Sequence, residues 1–131
     1  MKILKLFVIS FFLLLISCSS QTDTYQSLSE EILDVFEEIT LIIDNVTDNI
    51  SASESIKRLN ELDQKMKDLT ERMSELTELD DAAREFLKSS DYEDRFKKVL
   101  SNLFESTITI SDKSYGKDIM NTLTNILNPN N

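Results

Sequence analysis

The chain has 131 residues, 40% hydrophobic and 29% charged, with one glycine, one proline, one cysteine, and no histidine or tryptophan. So few breakers argue against the hairpins of an all-β fold, and helix is the expected state of a single modest domain. The formal charge of -10 repels nucleic-acid phosphates and anionic headgroups. No basic patch along the chain offsets it, so nucleic acid is not an expected partner.

Met1-Lys2-Ile3-Leu4-Lys5 forms a short positive start, and Leu6 to Ile16 is an eleven-residue run that is apolar except for Ser10. This has the form of a secretory signal, and a membrane span would need roughly 20 such residues. The run closes on Leu15-Ile16-Ser17-Cys18, which resembles the lipobox of bacterial lipoproteins. The resemblance covers the first eighteen residues. It implies a diacylglyceryl group on the Cys18 sulfur, cleavage between Ser17 and Cys18, and acylation of the new amine. A thiolate is the strongest side-chain nucleophile, so a thioether can mark one residue uniquely, and two or three acyl chains give durable anchoring where one does not.

Residues 1–17 are therefore expected to be a lipoprotein signal and 18–24 a lipidated tether, Cys18 followed by the polar stretch Ser19-Ser20-Gln21-Thr22-Asp23-Thr24. Six such residues reach only about 20 Å, which keeps the body at the bilayer. Lys2 and Lys5 fall in the signal, so the remainder carries 24 acidic and 12 basic residues. In Gram-negative lipoproteins an Asp after the cysteine resembles an inner-membrane retention signal. Here that position is Ser19, so the resemblance implies a place in the cell envelope, favouring the outer membrane.

From Tyr25 the apolar residues Leu28, Ile32, Phe36, Ile39, Ile43, Val46 and Ile50 alternate steps of three and four, the pattern of one helix face about 25 residues long. Glu30, Glu31, Asp34, Glu37, Glu38 and Asp44 lie mainly off that seam. Ser51-Ala52-Ser53-Glu54 has the form of a capping box and predicts the start of a second helix. There Ile56, Leu59, Leu62, Met66, Leu69, Met73 and Leu76 follow a near-heptad. Glu54/Arg58, Glu61/Lys65, Asp63/Lys67 and Asp68/Arg72 are acid-before-base pairs at four-residue spacing.

At Leu79 the spacing slips, as a stammer or a bend at Asp80-Asp81 would do, and Ala83, Phe86 and Leu87 resume it. Ser90-Asp91-Tyr92-Glu93 repeats the capping-box form ahead of an aromatic-rich face of Tyr92, Phe96, Val99, Leu100, Leu103 and Phe104. Thr107-Ile108-Thr109-Ile110 has the alternation of a strand with no partner strand; a frayed end, a loop over the core, or addition to a partner's sheet edge are the readings left open. Ile119, Met120, Leu123, Ile126 and Leu127 form a last segment stopped by Pro129. The expected fold is all-α: residues 25–128 as an antiparallel bundle of three to four amphipathic helices with coiled-coil-like packing, an extended trimeric coiled coil being the competitor.

With no histidine and the one cysteine assigned to lipid, the usual general base, the common nucleophile and most transition-metal ligands are missing. One glycine, Gly116, excludes a Walker loop and a dinucleotide-binding turn. The carboxylates Glu30-Glu31, Glu37-Glu38, Glu78 and Asp80-Asp81 remain. Neighbours on a helix do not face one another, so solvated faces are the simplest reading, and no calcium-loop pattern supports Asp80-Asp81. Met66, Met73 and Met120 read as core rather than a soft groove. The chain is also similar to the small peptidoglycan-linked lipoproteins in having a lipidated cysteine, serines and a heptad helix, but it ends in Asn128-Pro129-Asn130-Asn131 where those carry the linking lysine. The expectation is a non-enzymatic envelope lipoprotein without cofactor or metal. It would be bound to the membrane through Cys18 and act as a helical scaffold that binds protein. A pilotin or chaperone-like carrier of an outer-membrane client, and an immunity or inhibitor lipoprotein, are the alternatives.

Overall fold

The computed structural model describes residues 23–76 and 78–128. The expected signal, the cleavage pair Ser17 and Cys18, and the stop at Pro129 lie outside the described residues. Among these the chain is all-helical, with no strand and five helices packed on one another: α1 Tyr25–Asp44, α2 Asn49–Ser74, α3 Asp81–Lys88, α4 Ser90–Ser111 and α5 Gly116–Leu127.

Thr24 starts α1. The Ser27 amide donates to its hydroxyl at 3.1 Å and its own amide donates to Ser27 Oγ at 3.0 Å, satisfying two amides that a helix end otherwise leaves open. The helix stops at Asp44 rather than running to Ile50. Asp48 is the reason: the Ser51 amide donates to its carboxylate at 2.8 Å, and the Asp48 amide donates to Ser51 Oγ at 3.1 Å. Ser51 is thus the third residue of α2 rather than its cap, and helix two begins before the Ser51-to-Glu54 box. The intervening turn buries Val46 and leaves Ile50 74% exposed, off the seam.

The near-heptad of α2 delivers Leu59, Leu62, Met66 and Leu69 to the core. Helix α2 ends at Ser74 and does not stammer on through Asp80-Asp81. Asp80 accepts the Ala83 amide at 2.7 Å and caps a separate short helix, α3. One residue, Ser89, joins α3 to α4. Its hydroxyl donates to Phe86 O at 2.6 Å, so it closes the end of α3 and makes no side-chain cap on α4. The expected Ser90-to-Glu93 box is absent, and Glu93 pairs with Lys97 instead.

Thr107-Ile108-Thr109-Ile110 is helical to the end of α4, which removes the strand reading. The Thr107 and Thr109 hydroxyls donate to the carbonyls of Leu103 and Glu105, at 2.7 and 3.0 Å, and Ile110 is buried at 3% exposure. Packing of that isoleucine and local back-bonding override the β preference of the segment.

Named contacts fix helix directions. Tyr25 Oη donates to Leu76 O, Arg72 pairs with Asp23, and Arg58 reaches Glu38 at 3.8 Å, so α1 and α2 run in opposite directions. Arg95 meets Asp34, and Ser106 meets Asp44, so α4 runs alongside α1 in the same direction. This pair departs from the expected antiparallel packing because α2 ends beside the α1 N-terminal end and α4 starts from that same end. Helices α2 and α4 are not direct neighbours; α5 packs on both. The core between them holds Leu28, Ile39, Ile42, Leu59, Leu69, Ile119 and Ile126.

Gly116 opens α5 against the end of α4. A Cβ there would lie 1.9 Å from the Ile110 carbonyl oxygen, and that atom is backbone, so relief requires moving a helix end. Gly116→Ala is expected to destabilise the fold by about 1–3 kcal/mol, read as a lower urea midpoint with an unchanged slope.

Candidate functional site

Two regions stand out: the end at which the described residues begin, and the faces of α4. At the first, Asp23 is tied down two residues before α1. Arg72 Nε and Nη2 donate to its two carboxylate oxygens at 3.0 and 2.6 Å, and Arg72 also donates to Asp68 at 3.1 Å and approaches Glu31 at 3.6 Å. With the Thr24 cap and the Tyr25 to Leu76 bond, this fastens the first described residues to the last turn of α2. Asp23 and Thr24 are therefore part of the body, five and six positions after Cys18.

The Arg72 hydrogen bonds hold the Asp23 carboxyl below its ordinary value of 3.8, and the amide and hydroxyl of Ser51 do the same for Asp48. Both groups take up a proton less readily when folded. The stability they add is complete above 3.8 and is lost as pH falls through their lowered folded values. The urea midpoint is expected to drop on acidification below about pH 4, and Asp23→Asn to flatten part of that drop.

Arg58, Arg72 and Arg95 also answer what the acidic clusters of α1 do. Glu31 faces Arg72, Glu38 faces Arg58, and Asp34 and Glu37 face Arg95 at 2.6 and 3.4 Å. Sequence spacing read these carboxylates as a solvated face, because their partners lie on other helices. Within α2, Asp63/Lys67 and Asp68/Arg72 close as expected, at 2.7 and 3.1 Å. Arg58 turns from Glu54 to Glu38.

Between α1 and α4 runs a groove of about 860 Å³ lined by Thr40, Leu41, Arg95, Lys98, Asn102 and Ser106, among others. Its buried hydroxyls are already bonded: Thr40 Oγ1 donates to Phe36 O at 2.9 Å, and Ser106 Oγ donates to Asp44. The Ser106 to Asp44 bond ties α4 to α1. Among the described residues no three or more metal-ligating side chains gather. Asp80 is committed to the cap of α3 and Asp81 to its first turn.

Met66 is buried in the core, with Met73 and Met120 packed against it. Four of the exposed large apolar side chains, Phe96, Leu100, Phe104 and Ile108, lie on α4, while Leu41, Ile50 and Leu127 are exposed on α1, α2 and α5. Sequence reading grouped Phe96, Leu100 and Phe104 with the core face, whereas only Val99 and Leu103 of that set are buried. No described helix is long and apolar enough to cross a membrane. Comparison with protein-family models, with curated proteins and with solved structures finds no match.

Proposed function

We propose that the protein is a lipid-anchored bacterial envelope lipoprotein whose helical body is a non-enzymatic protein-interaction module. The observation that carries this reading is Leu15-Ile16-Ser17-Cys18 at the close of an eleven-residue apolar run. On this reading the chain is fastened from Asp23 onward, and residues 19–22 would form the tether. At about 3.3–3.6 Å per residue, the five steps from Cys18 would hold the end bearing Asp23, Arg72 and Leu76 within about 18 Å of the lipidated residue. The outer membrane is the favoured site in a Gram-negative envelope, since Ser19 follows the cysteine.

We further infer that α1, α2, α5 and α4 form one bundle in that ring order, with α3 as a crossover joining the diagonal pair α2 and α4. This accounts for every helix pair that touches around the ring. The lipid reading is tested by growth on a labelled fatty acid. Label is expected on the wild-type protein and none on Cys18→Ser; equal labelling, or none on either, would count against the anchor. Chemical crosslinking of intact cells tests the interaction role, and recovery of the uncrosslinked monomer alone would count against it.

A further inference from the structure

Along α4, Phe96, Leu100, Phe104 and Ile108 recur at every fourth position and remain 39%, 37%, 69% and 50% exposed. Helix α4 already has a core face in Val99, Leu103 and Ile110, so this ridge is additional to what the monomer needs. From Phe96 to Ser111 the helix carries one acid, Glu105, and that residue lines the groove toward α1 on the far side. Lys97, beside the ridge, is neutralised within its own chain by Glu93. On a surface dominated by carboxylates, the four ridge residues bear none, and the one beside them, Glu93, is held by Lys97.

We infer that the ridge is the contact between two copies of this chain, with α4 packed on α4 about a two-fold axis. A row of large residues at four-residue spacing is the ridge that interdigitates with its own kind when helices cross at about -50°, the commonest packing class. A two-fold interface also requires the same patch on both partners. An axis between Leu100 and Phe104 sets Leu100 of one copy against Phe104 of the other, and Phe96 against Ile108. Taking about 200 Å² for each large side chain, the exposed fractions leave roughly 400 Å² of apolar surface. Homodimer interfaces are about 65% apolar, so this corresponds to roughly 600 Å² per copy, about 1,200 Å² in total and the lower end of the range for specific interfaces.

Two acidic bodies repel, but at physiological salt the repulsion is screened beyond about 8 Å, and no carboxylate lies on the ridge. A bilayer is a poorer occupant, since helices that lie on membranes flank their apolar face with many basic residues. The inference is independent of lipid on Cys18.

The test is Phe104→p-benzoylphenylalanine in cells producing the full chain, which on irradiation bonds to whatever covers the position. The expected product has twice the chain mass, with both crosslinked peptides drawn from α4. Adding Leu100→Glu, or Ile108→Glu at a half-exposed position, is expected to abolish that product while leaving helical content unchanged. An adduct with lipid or with another protein, no adduct, or a self-adduct that survives both charge substitutions would overturn the inference.

Discussion

Moving residues 19–131 behind an export signal that ends in an ordinary cleavage site, with no cysteine, is expected to shift the protein almost wholly from the membrane pellet to the soluble fraction. The body offers the bilayer little else. It carries 24 acidic against 12 basic residues, which disfavours anionic headgroups, and none of its described helices is long and apolar enough to span. Two or three acyl chains, each CH₂ contributing about 0.8 kcal/mol, would outweigh that repulsion many times over. Fractionation in low and high salt reads the result. Retention in the pellet would mean a second membrane determinant.

Leu59→Ala is expected to cost about 2–5 kcal/mol, a large part of the roughly 5–15 kcal/mol that holds a domain of this kind. Leu59 is fully buried on α2 and belongs to the cluster that α1, α2, α4 and α5 share. Truncation there leaves a cavity with no free surface to collapse into. Phe104→Ala, at 69% exposure, is expected to change monomer stability by no more than about 0.5 kcal/mol. Urea unfolding of both variants checks the contrast. A loss below about 0.5 kcal/mol at Leu59 would contradict the core described above.

Helical class, the core role of Leu59, Leu62, Met66 and Leu69, and two of the four expected i,i+4 pairs of α2, Asp63/Lys67 and Asp68/Arg72, were legible because each depends on spacing within one segment. Boundaries were less so. Both Asp48 and Ser51 can cap a helix, and only the folded backbone shows that Ser51 returns the hydrogen bond to Asp48. Likewise Ser89 could not be told from Ser90 as the junction, because a single residue ends α3 and begins α4. Thr107 to Ile110 misled through β-branching, which the burial of Ile110 overrides.

Relations between segments were out of reach. Periodicity says that α1 has an acidic face, not that Arg95 from a helix running the same way would meet Asp34 and Glu37. It marks Phe96, Leu100 and Phe104 as apolar, not that Val99 and Leu103 take the core and leave them outside. The proposed lipid attachment is different in kind. It rests on four consecutive residues and owes nothing to the fold.

The most direct test of the lipoprotein reading is the mass of the mature amino-terminal peptide from the wild-type protein. The account predicts a peptide that begins at Cys18, lacks residues 1–17, and carries the added mass of a diacylglyceryl group, with or without a third acyl chain. An unmodified peptide beginning at Cys18, or one that still includes Leu15-Ile16-Ser17, would contradict it.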